Sequence, residues 1–269
     1  MMRSTIAACA ATLLLGFGSQ VLAQGNPLRD AYFGETHVHT SWSLDAWTFG
    51  NRVTGPGDAY KYFKGEPIKH PLGYDIKIDT PLDFAGVTDH SEYVGVVKLA
   101  NDPNSSVSKL PAAAPLILKN NSEEEVQKVY LYAIHLLTSP PVKSLMGPQI
   151  AHTVWAETVK LANEANEPGK FTAFCSYEWT SMPNAMNLHR NVFFKDCAHV
   201  PEMPFSALDS PVPFTYGSGW TTSARRATTF WQFHITPTSP MGACTLLRST
   251  STGDRSTGLM LKTGCATSP

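Results

Sequence analysis

The sequence predicts an α/β fold, and three observations support this prediction. An uninterrupted apolar run of strand length at 81–88 (PLDFAGVT) is typical of a strand that is buried on both faces. Two segments whose apolar residues have helical spacing follow it, at 122–139 and 150–165. Further strand-like segments lie before and after these helices, at 31–39, 171–179 and 188–194. Strands that alternate with helices in this way are the pattern of an α/β architecture.

Both predicted helices carry signals at their ends. Ser122 and Glu125 form a capping box, in which each side chain accepts a hydrogen bond from the backbone of the other residue. Pro140-Pro141 ends this helix, and Pro168-Gly169 ends the second one.

Two stretches predict structure outside the regular elements. Residues 50–71 are rich in Gly, Pro and Lys and predict an excursion over the surface. Residues 101–115 are rich in Pro, Ser and Ala and predict a loop.

The composition is that of an ordinary globular protein and excludes some partners. The chain has 269 residues, 42% hydrophobic and 16% charged, which is enough for one large domain. A net charge of −1 gives no electrostatic basis for binding nucleic acid. No segment beyond the N-terminal region has the ~18 consecutive apolar residues of a membrane span.

The N-terminal segment 1–23 predicts a secretory signal peptide rather than a buried helix. Arg3 supplies the positive charge, 6–17 is apolar, and Val21-Leu22-Ala23 forms a cleavage site before Gln24. The mature protein is therefore expected in the periplasm or outside the cell.

Four cysteines follow the predicted signal peptide, and they contain no C-x-x-C spacing. A cysteine metal site is therefore not predicted. A disulfide between Cys175 and Cys197 would suit an oxidising compartment, but the sequence leaves this pairing open.

Histidines and carboxylates gather where the predicted strands end. His37 and His39 point to the same side of an extended segment, because side chains alternate along a strand. His90 follows the buried strand, at the edge where α/β folds place their active sites. Imidazole suits Zn, Mn and Fe, and carboxylates can bridge two ions. The sequence predicts a metal centre, for which His37, His39, Asp45, His90, Glu178 and His189 are the candidate ligands.

Two further residues are candidates for a catalytic role. Asp89, next to a predicted ligand, could bind metal or could orient that ligand. Arg190 could contact the phosphate of a substrate, but a salt bridge is an equally good reading.

Three segments together resemble the PHP (polymerase and histidinol phosphatase) superfamily. They are 37–46 (HVHTSWSLDA), 86–95 (GVTDHSEYVG) and 177–194 (YEWTSMPNAMNLHRNVFF). The resemblance is closer to a family of secreted, PHP-related bacterial proteins known only as a domain of unknown function, and it spans 31–215.

The resemblance implies a fold, a cofactor and an activity. These are a distorted (β/α) barrel and a centre of two or three Zn, Mn or Fe ions that hydrolyses phosphate esters, with a small molecule as substrate. By motif, His37 and His39 match the opening H-x-H, and Asp45 matches the acidic residue of the same loop. His90 matches the histidine of the D-H motif. Glu178 and His189 match the bridging carboxylate and the ligand after it. A hydrolase of another bond is the alternative enzyme.

The composition changes abruptly after Thr215. Residues 216–269 are dense in Thr, Ser, Gly and Arg, and they predict a non-native, disordered tail. The resemblance implies further S-H-N and Asp-x-His motifs there, which are absent, so the predicted barrel is incomplete. The codons of 219–237, read in a shifted frame, permit MDDQRKAGNDVLAISHNAN, which includes S-H-N. A frameshift near Thr215 is therefore predicted, and a non-catalytic remnant is the second alternative function.

Overall fold

The computed structural model describes residues 31–182 and 187–209, and the backbone of two strands at 230–235 and 244–247. Almost all of these residues belong to a compact unit that begins at Tyr32. No helix within the described residues is long and apolar enough to cross a membrane.

The described chain contains strands, α-helices and short 3-10 helices. The strands are β1 Gly34–Glu35, β2 Ile68–Lys69, β3 Asp75–Ile76, β4 Phe84–Gly86, β5 Thr172–Phe174, β6 Ser176–Ser181, β7 Leu188–Phe194, β8 Phe230–Ile235 and β9 Cys244–Leu247. The α-helices are α1 Leu44–Thr48, α2 Pro56–Phe63, α3 Val96–Ala100, α4 Glu123–Thr138 and α5 Pro148–Ala165. The 3-10 helices are Val107–Lys109, Pro111–Leu116 and Lys143–Leu145.

The strands form a parallel sheet, an antiparallel sheet and a small hairpin. The parallel sheet has the order β1-β4-β5, the antiparallel sheet has the order β6-β7-β8-β9, and β2 pairs with β3. The mixed α/β class predicted from the sequence is therefore confirmed. No sheet closes into a barrel within the described residues, so the predicted PHP-type barrel is not confirmed.

The two larger sheets meet at a strand that changes partners. The predicted strand 171–179 is in fact two strands, which are separated only by Cys175. β5 pairs with β4, whereas β6 pairs with β7 on its other side. The segment after β4 stays beside β6, because Ser91 N–H donates to the carbonyl of Glu178 at 2.7 Å and Glu178 N–H donates to that of Asp89 at 3.0 Å. The polar residues after β4 therefore lie directly against β6.

A glycine allows this close approach. A Cβ atom on Gly86 would lie 2.4 Å from the ring of Phe193 and 2.6 Å from Oγ of Ser176. Only a residue without a side chain fits between β4 and β7 at this point.

The two long helices confirm the sequence prediction. α4 begins after Ser122, whose hydroxyl accepts a hydrogen bond from Glu125 N–H at 3.3 Å. α5 ends at Ala165, shortly before the predicted stop at Pro168-Gly169. Both helices pack their apolar faces into hydrophobic clusters: α5 covers the sheets, and α4 packs with α1 and α3.

The prediction of a surface excursion at 50–71 is wrong for its middle part. α2 lies there, and its Tyr60 is fully buried, with its hydroxyl donating to the carbonyl of Phe174 at 3.0 Å. Ala59, Tyr60 and Phe63 form one apolar face at helical spacing, and burial of this face outweighs the flanking Gly and Pro residues. The predicted loop 101–115 likewise contains 3-10 helices, which bury Val107 and other apolar side chains.

Part of the predicted disordered tail has regular backbone structure. β8 and β9 extend the antiparallel sheet beyond β7, so the prediction of disorder is wrong for these two segments. β8 has the sequence FWQFHI, and aromatic and β-branched residues favour strands. The rest of 216–269 lies outside the described residues, as does the predicted signal peptide.

A disulfide fastens the strand at its change of partners. Cys175 and Cys197 are bonded, with their Cα atoms 5.5 Å apart. The bond joins the junction of β5 and β6 to the segment that follows β7.

Candidate metal centre

The six predicted ligands converge at the carboxyl ends of the parallel strands. His37 and His39 follow β1, Asp45 lies at the start of α1, and His90 follows β4. Glu178 lies within β6 and His189 near the start of β7, and these two residues reach the same edge because β7 runs antiparallel to β6. Side chains that are far apart in the sequence meet here because parallel strands bring their carboxyl ends to one side.

The carboxylate of Glu178 lies at the middle of this group. Its side chain has no exposed surface, and imidazoles surround it. Its Oε2 lies 2.8 Å from Nε2 of His39, 3.3 Å from Nδ1 of His90 and 3.6 Å from Nε2 of His37. Its Oε1 lies 2.8 Å from Nδ1 of His189.

Despite these contacts, neither oxygen of Glu178 accepts a hydrogen bond of acceptable geometry from any described residue. The ring nitrogens are close to the carboxylate, but these contacts do not have hydrogen-bond geometry. A buried carboxylate without hydrogen bonds is rare, because leaving it so is costly. Nitrogens and oxygens that share a metal ion have this arrangement, and Nε2 of His37 and of His39 could share one with Oε2 of Glu178.

The distances fit an ion between the donors. Two ligand atoms on one tetrahedral zinc ion, each about 2.1 Å from it, are separated by about 3.4 Å. Nε2 of His37 and Nε2 of His39 are 3.1 Å apart, and Oε2 of Glu178 is 3.6 Å and 2.8 Å from them. These three atoms therefore form a triangle of the size that one ion requires.

The centre contains three overlapping groups of donors. Within each group the donor atoms lie within 4.8 Å of one another, and each group could hold a metal ion. The groups are His37, His39 and Glu178; His39, Asp45 and His90; and His90, Glu178 and His189. Their overlap at Glu178, His39 and His90 is the pattern of a centre with more than one ion.

The charges of the centre stabilise one another. Burial alone raises the pKa of Glu178, but the adjacent imidazoles outweigh burial and hold this pKa well below its usual range. Burial lowers the pKa of His39, whereas the hydrogen bond to Asp45 and the nearby carboxylate of Glu178 raise it by more, to about 10. The pKa of Asp45 is lowered by His39 and His90, which outweigh burial. The donors thus form a dense set of paired charges, and metal binding would displace their protons.

The loop after β1 orients two of the donors. Oδ2 of Asp45 lies 2.8 Å from Nδ1 of His39, with hydrogen-bond geometry. Ser43 donates to the other oxygen of Asp45 at 2.6 Å and accepts from the backbone N–H of His90 at 3.1 Å. A carboxylate on the far nitrogen of a ligand histidine fixes the tautomer and the ring plane. Asp45 could therefore act as an orienting residue for His39 as well as a ligand beside His90.

Asp89 holds two loops together. One oxygen accepts the backbone N–H of Thr40 and the other accepts its hydroxyl at 2.7 Å. Burial raises the pKa of Asp89 to about 6, although the hydrogen bonds from Thr40 oppose this rise. Both oxygens are thus used to join the loop after β4 to the loop after β1. The two predicted roles of Asp89, to bind metal or to orient His90, stay predictions.

Arg190 lies away from the donors. In the register of β6 and β7, His189 is opposite Thr180 and Arg190 is opposite Trp179. Alternation along a strand places Arg190 on the other face from His189 and Glu178. Its guanidinium donates to the carbonyl of His189 at 2.7 Å, and burial lowers its pKa. The prediction that Arg190 contacts the substrate is therefore not supported.

Two polar residues beside the ligands, Glu92 and Thr180, are not predicted from the sequence. Glu92 is fully buried, and its Oε1 accepts from the backbone N–H of Thr180 and of Ala207 at 3.1 Å and 2.7 Å. Burial raises the pKa of Glu92 to about 7. The hydroxyl of Thr180 contacts Nδ1 of both His90 and His189. Their positions within the motifs around His90 and Glu178 were visible in the sequence, but their contacts depend on strand pairing.

The four other histidines whose side chains are described lie outside the three groups. His70 stacks on Tyr74, and His199 pairs with Asp196 at 2.7 Å on the surface. His135 contacts Ser139, and His152 lies 3.7 Å from Glu202.

The fold and the site define an α/β protein with a candidate metal centre at the carboxyl edge of its parallel strands. The chain belongs to a family described as a protein of unknown function (DUF3604), whose sequence profile matches residues 26–229. The matched range includes all six predicted ligands and extends beyond Thr215. No curated protein and no solved structure is similar enough to match the chain.

Proposed function

We propose that this protein is a metal-dependent hydrolase that cleaves phosphate esters of small molecules with the help of two or three bound Zn, Mn or Fe ions. The observation that carries the proposal is the carboxylate of Glu178, which is fully buried among four imidazoles and has no hydrogen-bond donor among the described residues. Such a group is stabilised when cations bind between it and the imidazoles.

The residues of the chain would divide the work of holding the ions. His37, His39 and Glu178 form one group, and His90 with Asp45 forms part of another. Glu178 belongs to two of the three groups, so its carboxylate could bridge ions held by both of them. Divalent ions held in this way lower the pKa of a bound water and stabilise negative charge on a leaving oxygen.

The exposure of the ligands indicates where a substrate would enter. The side chain of His37 is 43% exposed, whereas those of His39 and His90 are 14% and 9% exposed. The centre is therefore most accessible at His37, whereas Glu178 on β6 and Asp89 after β4 are buried. Burial on that side strengthens the interactions of charges in the centre.

The choice of phosphate esters rests on the PHP resemblance of the motifs around His37, His90 and Glu178, which also implies that the joined sheets are part of an incomplete, distorted barrel. A centre that activates water can also cleave an amide or a lactone. If residues 216–269 replace the native continuation of the chain, as the predicted frameshift implies, the protein would instead be a non-catalytic remnant.

We also propose that the protein is exported to the periplasm or outside the cell. The signal-peptide pattern at 1–23 supports export. The Cys175–Cys197 disulfide adds support, because structural disulfides persist in oxidising compartments.

The test compares metal content and hydrolysis in two matched variants. His39→Ala removes a donor from two of the three groups, so bound metal and hydrolysis should both be lost. His199→Ala is the control, because His199 also pairs with an aspartate but lies on the surface. The substrates are a phosphate monoester, a phosphate diester, a carboxylic ester, a lactone and an amide.

The outcomes separate the proposals. Loss of phosphate release in His39→Ala, with His199→Ala unchanged, is the expected result. Hydrolysis of only the lactone or the amide would replace the phosphoesterase proposal with the other hydrolase. Metal binding without any hydrolysis would favour the remnant, and a wild-type chain that binds no metal would refute the metal centre.

A further inference from the structure

A buried threonine lies between two of the candidate ligands. Oγ1 of Thr180 is 2.8 Å from Nδ1 of His90 and 2.9 Å from Nδ1 of His189, and both contacts have hydrogen-bond geometry. The same two nitrogens also lie close to Glu178, at 3.3 Å and 2.8 Å, but without such geometry. The hydroxyl is therefore the better hydrogen-bond partner of both Nδ1 atoms.

The position of this hydroxyl is tightly fixed. Thr180 lies on β6, two residues after Glu178, so its side chain is on the same face, and it is paired in register with His189. Its backbone N–H donates to Oε1 of the buried Glu92 at 3.1 Å. Glu92 in turn accepts the backbone N–H of Ala207 at 2.7 Å, which connects Thr180 to the segment after β7.

The chemistry of imidazole then determines which nitrogen is left for a metal. A neutral imidazole has one N–H and one lone pair, and only the nitrogen with the lone pair can bind an ion. A threonine oxygen has two lone pairs and can accept from both Nδ1–H groups. Nε2 of His90 is then free to bind, and it lies 3.5 Å from Oδ2 of Asp45, a separation that suits two ligands of one ion.

We propose that Thr180 is a positioning residue that directs both His90 and His189 to bind metal through Nε2. This inference rests on the proposed function, in which the centre holds metal. It also assigns His90 to the ion beside Asp45, because the Nδ1 atom that faces Glu178 keeps its proton.

The hydroxyl can be removed while the shape of the side chain is kept. Thr180→Val loses the hydrogen-bond acceptor, whereas Thr180→Ser retains it. Loss of an orienting partner typically lowers metal affinity by about 10–100-fold. We expect a loss of this size for Zn²⁺ in Thr180→Val and near wild-type affinity in Thr180→Ser, measured on the full chain by competition with a chromogenic chelator.

A matched control separates this effect from a general loss of stability. Thr158 is also buried, but it lies on α5 and its hydroxyl donates only to the backbone carbonyl of Val154 at 3.0 Å. Thr158→Val should therefore leave the affinity for Zn²⁺ unchanged.

A second measurement reads the nitrogens directly. In the zinc-loaded chain with ¹⁵N-labelled histidine, nuclear magnetic resonance shows which ring nitrogen keeps its proton. We expect Nδ1–H for His90 and His189, and loss of this uniform state in Thr180→Val. Bound zinc on Nδ1 of either residue, or Thr180→Val that binds zinc as tightly as wild type, would overturn the role of Thr180. A wild-type chain without affinity for Zn²⁺, Mn²⁺ or Fe²⁺ would instead refute the proposed function.

Discussion

At the scale of single residues, the centre depends on a carboxylate with no access to water. Removing Glu178 from water costs several kcal/mol unless nearby positive charges and good geometry compensate for it. In this protein the compensation comes from imidazoles on three other segments, which is why the pKa of Glu178 lies well below its usual range. The same cluster of donors gives the residue its proposed role as a bridge between ions.

Glu178→Gln should reduce the bound metal per chain, because an amide is neutral and a much poorer bridging ligand than a carboxylate. The measurement is the metal content of the purified variant after dialysis. Glu167→Gln is the matched control, since Glu167 lies on the surface and its side chain pairs with Lys64 and Lys170. Equal metal content in Glu178→Gln and wild type would contradict the bridging role.

Asp89→Asn should destabilise the fold rather than act on chemistry alone. The amide keeps one acceptor oxygen, so one of the two hydrogen bonds from Thr40 is lost in a buried site. The expected loss is about 1–3 kcal/mol in the free energy of unfolding, measured by urea denaturation.

Asp83→Asn provides the comparison, because Oδ2 of Asp83 also accepts a backbone N–H, from Phe33, but in an exposed position. Its effect should stay within about 0.5 kcal/mol. If Asp89→Asn abolished hydrolysis without any change in stability, Asp89 would have a direct catalytic role instead.

At the scale of secondary-structure elements, the main feature is the strand that changes partners at Cys175. β5 completes the parallel sheet, and β6 begins the antiparallel one while remaining bonded to the segment after β4. This junction brings Glu178 and His189 to the carboxyl edge where His37, His39 and His90 already lie. The disulfide to Cys197 holds the junction at the same point.

Replacing both cysteines of this disulfide with serine should lower the free energy of unfolding. The two residues are 22 positions apart, and a closed loop of this length corresponds to about 3 kcal/mol in the chain-entropy account. The measurement is urea denaturation of the wild type and of the double variant, each with and without a reducing agent.

The reducing agent is the internal control of that experiment. It should destabilise the wild type and leave the double variant unchanged. A wild type that is insensitive to reduction would show that the bond is absent or does not contribute to stability.

At the scale of the whole molecule, the region after Thr215 is the part where sequence and structure differ most from the predicted family pattern. β8 and β9 extend the sheet there, and the family profile matches as far as residue 229. The change in composition and the shifted-frame sequence still predict a frameshift, and the PHP resemblance expects further ligands downstream. The shifted-frame sequence and the PHP resemblance together predict that the intact gene encodes further ligands after Thr215.

Restoring the predicted reading frame near Thr215 should increase both metal content and phosphate-ester hydrolysis. The physical reason is that further ligands would complete the shells of ions that the six donors of this chain would otherwise hold only in part. The measurement compares the 269-residue chain with the repaired one, both expressed with residues 1–23 and purified in the same way.

The control is the repaired chain that also carries His39→Ala. This variant should show no increase in metal content or in phosphate-ester hydrolysis. Equal hydrolysis by the 269-residue and repaired chains would contradict the frameshift or the assignment of ligands. The nucleotide sequence around the Thr215 codon tests the frameshift independently of any activity.

The sequence by itself determined the α/β class, the two long helices, the strand at 188–194 and the six side chains that converge. These features are local or periodic: a capping Ser122, helical spacing of apolar residues, and polar residues directly after buried strands. The position of His90 after a buried strand was enough to place it near His37, because parallel strands end at the same edge of a sheet.

The tertiary structure alone decided the rest. α2 is buried in a stretch that appears polar in the sequence, because Tyr60 finds partners more than 25 residues away, at Val87 and Phe174. The position of Thr180 opposite His189 and the position of Arg190 on the other face both follow from the register between β6 and β7. Register sets which side chains face each other across a sheet, and a shift of one residue would exchange the two faces. No local pattern encodes that choice, since it is made by the packing of the two sheets.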